Sequence, residues 1–189
     1  MATTRERFIT TTAELFRRQG YTGTAVKQIV EAAGAPFGSM YHHFPGGKEQ
    51  LGVDTLRWSG ALYGQLIDLF YGGGADIVSA TAAFFEAAAD TVRDADYADA
   101  CPIATVALEV ASTNEPLRQA SAEVFDSWLA SFDDYLRTGG IAEPRDVSVS
   151  VFALLEGAFL LARTTRDVAP IRIAGRTAAE VVGAAITQS

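Results

Sequence analysis

Cysteine is nearly absent: Cys101 stands alone among 189 residues. This excludes a disulfide scaffold and a cysteine-built zinc site, and it fits a reducing cytoplasm. Histidine is almost as scarce, with only His42 and His43. The N-terminal MATTRERF has no apolar core of the kind a signal peptide needs. The best membrane candidate, residues 151–162, is interrupted by Glu156 and falls short of the about 20 residues a span requires. The expectation is therefore a soluble, cytoplasmic chain without a membrane partner. No stretch alternates apolar and polar residues as a half-buried strand would, and no internal repeat or low-complexity tract is evident.

Chemistry is missing in the same way. There are no paired carboxylates at a useful spacing, no Ser/His/Asp or Cys/His constellation and no cofactor motif, which argues against an enzyme and for no cofactor. His42 and His43 are adjacent, so on a helix they point about 100° apart and do not readily chelate one ion. With no nearby cysteine or carboxylate to complete a set, no metal site is expected. Gly72-Gly73-Gly74 lacks the Lys-Ser/Thr of a phosphate loop and follows a helix, so it reads as a hinge or turn.

What is present is apolar residue in quantity: 49% of the chain is hydrophobic and 20% charged, the balance of a globular protein with ample core. The net charge of −8 is unevenly placed. Residues 1–51 hold six basic and four acidic side chains, whereas the remainder holds nine basic and nineteen acidic. One end can thus meet an anionic surface while the acidic body keeps clear of it.

Thr3-x-x-Glu6 has the form of a capping box, after which Phe8, Ile9, Thr12, Leu15 and Phe16 fall at helical spacing until Gly20. Thr24 fits an N-cap for a short helix with Val26, Ile29, Val30 and Ala33 on one face, closed by Gly34. Pro36 fits the first position of a third helix, in which Phe37, Met40, Tyr41 and Phe44 share one side. Gly38, Ser39, His42 and His43 are left for the other. A long helix follows from Lys48 to Tyr71, with Leu51, Thr55, Trp58, Leu62, Leu66 and Leu69 on one stripe. Further helices are expected over about 75–93, 102–112, 115–137, 147–166 and 171–188, with a polar loop over 94–99. The fold class is all-α with about nine helices. Two short helices joined by a tight Gly-containing turn, the second offering small and polar side chains, form a helix-turn-helix able to enter a DNA major groove. Residues 1–47 read as that head and 48–189 as a separate helical domain.

The run TGTAVKQIVEAAGAPFGSMYHHF, residues 22–44, with Lys48-Glu49 shortly after, resembles the DNA-binding domain of the TetR family of one-component transcriptional regulators. The turn within HHFPGGKEQL and the stretch ACPIATVALEVA at 100–111 also resemble the lincomycin-resistance-repressor (LmrA/YxaF-like) subgroup. The resemblance implies a ligand-responsive transcriptional regulator, most often a homodimeric repressor that a small apolar or aromatic inducer releases from a near-palindromic double-stranded operator. It implies phosphate contacts from Thr24, Ala25 and Lys27, and base edges met by Pro36, Gly38 and Ser39. Tyr41, His42 and His43 would reach backbone or bases, and Lys48 would clamp a phosphate. Many relatives have lysine where this chain has Phe37; here the ring either touches a thymine methyl or packs beside Met40 and Phe44.

The resemblance also implies an inducer pocket among the middle helices, with Trp58, Leu62, Leu66, Phe84 and Leu108 as lining candidates. Glu109, Phe125, Trp128 and Phe132 join them, against the plainer reading of such aromatics as core. The last two helices would pair between subunits through Phe152, Leu155, Glu156, Phe159 and Arg163, opposite Ala174, Thr177, Ala178 and Val181. A lone carboxylate in an apolar stretch is costly, so Glu109 and Glu156 either meet a ligand or pair with an arginine such as Arg163. Cys101 has no basic neighbour in sequence to lower its pKa and reads as a small buried residue rather than a redox sensor. The alternative to a regulator is a helical small-molecule-binding protein without DNA binding.

Overall fold

Thr3 opens the first helix as its spacing predicts: its hydroxyl accepts from the Glu6 N–H at 3.2 Å and its own N–H donates to Glu6 Oε2 at 2.7 Å. Hydrogen bonds to its carboxyl, first from the Thr3 backbone N–H and then from the Thr3 side chain, hold Glu6 below its ordinary pKa. The structure, a computed structural model, describes residues 2–74, 76–98 and 101–187. Among them nine helices occur and no strand: α1 Thr4–Gln19, α2 Val26–Ala32, α3 Phe37–His43, α4 Gly47–Tyr71, α5 Ile77–Asp94, α6 Pro102–Val110, α7 Glu115–Thr138, α8 Arg145–Thr165 and α9 Ala169–Thr187. The all-α reading is correct. The expected helix limits at Ala75 and Gln188, and Asp99 and Ala100, lie outside the described residues.

The chain divides into two compact units, residues 1–62 with 101–125 and residues 63–100 with 126–189, and α4 and α7 contribute to both. In the first unit, α1, α2 and α3 enclose a small core of Phe8, Ile9, Ile29, Val30, Met40 and Phe44, to which α4 adds Leu51. Phe8 and Phe44 meet edge to face with centroids 6.1 Å apart. The first half of α7 lies close to α4 because α4 is small there: a Cβ on Gly60 would stand 2.5 Å from a Val124 methyl. The α4 stripe is split. Leu51 and Thr55 are buried, whereas Trp58, Leu62, Leu66 and Leu69 are exposed.

In the second unit, α9 packs on both α5 and α8. Tyr71, Phe132 and Tyr135 form an aromatic cluster with Phe84, Tyr71 and Phe132 being 4.9 Å apart between centroids. Burial pushes the Tyr71 hydroxyl up to about 12, with its bond to Thr81 Oγ1 (3.2 Å) pulling the other way. On the far side Phe152 touches both Trp128 and Phe132, at 6.3 and 6.0 Å.

The candidate membrane segment is longer than the sequence suggested. Helix α8 has 21 residues and is long and apolar enough to cross a membrane by length and composition alone. Its Val151, Leu155, Ala158 and Ala162 are instead spent on the unit's own core.

Helix α9 meets α5 through Gly175, where an added Cβ would stand 2.6 Å from Phe85 Cβ. Alanine in place of glycine inside a helix ordinarily gains about 1 kcal/mol. Here Gly175→Ala should instead lower stability by about 1–3 kcal/mol through overpacking, because Phe85 Cβ moves only with its backbone. Urea unfolding followed by circular dichroism checks the sign; a raised midpoint would show that α5 yields without strain.

Candidate nucleic-acid interface

The turn into α2 is held from within. Thr24, expected to cap α2, is fully buried; its hydroxyl donates to the Gly20 carbonyl at 2.6 Å and accepts from Gln19 Nε2 at 3.2 Å. The N-cap is Ala25, one residue later, whose N–H donates to Gln28 Oε1 at 2.8 Å. The expectation for Thr24 is corrected accordingly: a buried hydroxyl with both partners supplied is a brace for the turn, not a group free for phosphate. Ala25 and Lys27 are exposed, the Lys27 ammonium lying 3.7 Å from Glu31. Gly34, at a φ of +59°, turns the chain after α2 as glycine readily does. Pro36 is the N-cap of α3 rather than its first residue, with φ −62° and ψ 145°.

Helix α3 has seven residues and presents two unlike faces. Met40, with Phe44 just past the helix end, is sunk in the core with no exposed surface. Phe37 and Tyr41, expected on that same apolar side, are 53% and 47% exposed. The packing reading of Phe37 is therefore wrong: its ring lies 5.7 Å from that of Tyr41, outside the core. The reason is geometric. The buried face of so short a helix is about one residue wide per turn, and Met40 and Phe44 fill it. Pro36, Gly38 and His42 are exposed beside these rings, with Ser39 and His43 half-buried, and nothing stands within 4 Å of where a Gly38 Cβ would be. The His42 and His43 rings are 5.1 Å apart.

Behind this surface the α1–α2 turn is gripped from two sides. Lys48 Nζ donates to the Tyr21 carbonyl at 2.7 Å and sits 4.1 Å from the centre of the Tyr21 ring. Partial burial lowers the pKa of that ammonium, and the charge of Glu109 pulls it back up. Glu109, on α6, accepts from the Thr22 N–H at 2.7 Å across 87 residues of chain. Its carboxylate occupies the space beside Gly20, where a Cβ would lie 1.5 Å from Oε1. With φ +71° and ψ −175°, Gly20 is in a region open essentially to glycine alone. Two expected ligand groups, for phosphate and for inducer, are thus engaged in shaping the turn.

The remaining candidates fall in both units. In the first, Trp58, Leu62 and Leu108 are exposed and Phe125 half-buried; in the second, Leu66 is exposed, Phe84 half-buried, and Trp128 and Phe132 buried in the aromatic cluster. Cys101 is half-buried and caps α6, its Sγ accepting from the Ala104 N–H at 3.5 Å. Among the residues expected to meet a second subunit, Leu155, Ala174 and Ala178 face the subunit's own core. Phe152, Glu156, Phe159, Arg163 and Val181 are half-buried, and Thr177 is exposed. The Arg163 guanidinium donates to the carbonyls of Tyr97 and Ala98, at 3.3 and 3.2 Å. Val149, Leu160, Leu161 and Ile173, which the sequence reading does not single out, are each about half exposed or more on α8 and α9. The available signal was that α8 is apolar all round, so one face was bound to be left over after packing.

Comparison with known proteins agrees with this geometry. Residues 8–52 match the family described as bacterial regulatory proteins, tetR family, and residues 78–177 match the C-terminal domain of LmrA/YxaF-like transcriptional regulators. The HTH-type transcriptional regulator YxaF of Bacillus subtilis is 34% identical over 169 residues, 88% of each chain. LmrA of the same organism is 32% identical, over 88% of this chain and 90% of its own. The crystal structure of reduced NemR from E. coli superposes with a TM-score of 0.84 at 24% identity, covering 94% of this chain and 97% of that one. A TetR regulatory protein from Rhodobacter sphaeroides gives 0.86 at 21% identity, covering 95% and 99%. The chain belongs to the TetR family of transcriptional regulators, with a helix-turn-helix head and an LmrA/YxaF-like C-terminal domain.

Proposed function

We propose that this regulator is a cytoplasmic homodimeric repressor, released from a near-palindromic operator by a small apolar or aromatic inducer. The observation that carries the reading is the two-faced α3: Met40 and Phe44 anchor it while Phe37, Gly38, Tyr41 and His42 stand outward with Ser39 at the margin. A helix so presented, behind a braced turn, suits a major groove. In this reading Ala25 and Lys27 meet phosphate at the start of α2, and Pro36, Gly38, Ser39 and His43 border the base edges. Lys48 acts by holding the Tyr21 carbonyl rather than by touching DNA.

The second subunit covers the exposed apolar stripe of α8, which follows Val149, Ala153, Gly157, Leu160 and Leu161, together with Ile173 and Thr177 of α9. Leaving that stripe in water is costly at about 25 cal/mol per Å², and a two-fold axis lets one patch cover its own copy. The inducer enters the aromatic cluster of the second unit, around Phe84, Trp128 and Phe132, whose chemistry favours flat apolar molecules. Release needs an inducer that binds better to a dimer whose heads are wrongly spaced for the operator; equal affinity for both states would shift nothing.

Two outcomes are expected. Tyr41→Ala should weaken operator binding at least about tenfold, the scale of one lost contact to charged or polar partners, with its thermal midpoint unchanged because the ring is half exposed. Fluorescence anisotropy against selected and scrambled duplexes at two salt concentrations reads this; retained affinity removes α3 from the interface. Leu161→Asp should convert the dimer to a folded monomer in light scattering, and a dimer that survives would place the subunit contact elsewhere.

A further inference from the structure

An exposed phenylalanine on the outer face of α3 calls for an apolar partner in a major groove. Its ring carries no hydrogen-bond donor or acceptor, so it satisfies neither phosphate nor the polar edges of guanine, adenine and cytosine. The single apolar group on the groove floor is the C5 methyl of thymine. Phe37 is the first residue of α3 and 53% exposed, the most exposed aromatic named on the head. Tyr41, one turn on, holds it from one side with rings 5.7 Å apart and tilted by 48°, so the free face of Phe37 has a defined direction. Gly38, next to it, has open space where a Cβ would be, and a base edge can come close there.

We infer that Phe37 is a specificity-determining residue that reads one thymine in each half-site through its C5 methyl group. The inference rests on the proposed operator binding and adds to it which base is read and by what chemistry. Tyr41 positions the ring and keeps its hydroxyl for a polar partner.

The test uses the full-length protein and duplexes recovered from random DNA by in vitro selection. Each thymine of the recovered half-site is replaced in turn by deoxyuridine, which removes the methyl and leaves the pairing edge intact. One thymine per half-site should stand out, its replacement weakening binding about fourfold, the value of one methyl group taken out of water, and about fifteenfold when both half-sites are changed. Phe37→Ala should bind thymine and deoxyuridine duplexes alike while melting at the wild-type temperature. Selective operator binding by the wild type with no thymine preferred over deoxyuridine overturns the inference and leaves the regulator reading standing. The same follows if Phe37→Ala keeps the full discrimination. If no sequence is selected at all, the operator-binding proposal itself fails, and this inference with it.

Discussion

Seven residues of helix do not hold themselves together in water, because nucleation fixes several residues for the first hydrogen bond and so short a helix adds few more. Helix α3 exists because Met40 and Phe44 are sunk among Phe8, Ile29 and Leu51. Everything on its outer face inherits its position from those two side chains. The edge-to-face contact of Phe8 with Phe44 ties α3 to α1, and Leu51 ties both to the start of α4. A core this small tolerates little slack: each buried group is a large share of what orders the surface beyond it.

The turn before α2 shows a second kind of support, polar rather than apolar. Thr24 from inside, Lys48 from α4 and Glu109 from α6 bind the Gly20 and Tyr21 carbonyls and the Thr22 N–H. Backbone groups at such a turn have no helical partner, and leaving them unpaired when partly buried costs free energy comparable to a hydrogen bond. Gly20 makes the arrangement possible, since any side chain there would occupy the place of the Glu109 carboxylate. As a result α6, which lies far along the sequence, is physically joined to the turn that precedes α2.

The acidic character of the chain as a whole is compatible with a nucleic-acid partner because charge acts locally at physiological salt, where fields fade over about 8 Å. The polar and aromatic surface of α3 carries little net charge of its own, which favours readout by shape and apolar contact over general attraction to phosphate. The second unit is of a different kind. Its interior is aromatic, with burial pushing the Tyr71 hydroxyl still further from ionising, and Val149, Leu160 and Leu161 leave an exposed apolar stripe on α8.

Much of this was legible from residues alone. Helical periods, the Thr3 capping box, the Gly20 and Gly34 stops and the Gly72–Gly74 break located every helix to within a few residues, because caps and i→i+4 bonding are decided by neighbours in sequence. The motif of residues 22–44 identified the head and the family. Tertiary structure decided direction. Phe37 and Tyr41 share a helical side with Met40 and Phe44 by spacing, yet only the second pair is buried, since the core has room for two. Leu155, Ala174 and Ala178 turned inward while Leu160, Leu161 and Ile173 turned out, because an apolar helix carries no local record of which neighbour will cover which face. Glu109 found Thr22 across 87 residues, a contact that periodicity, a property of near neighbours, does not encode.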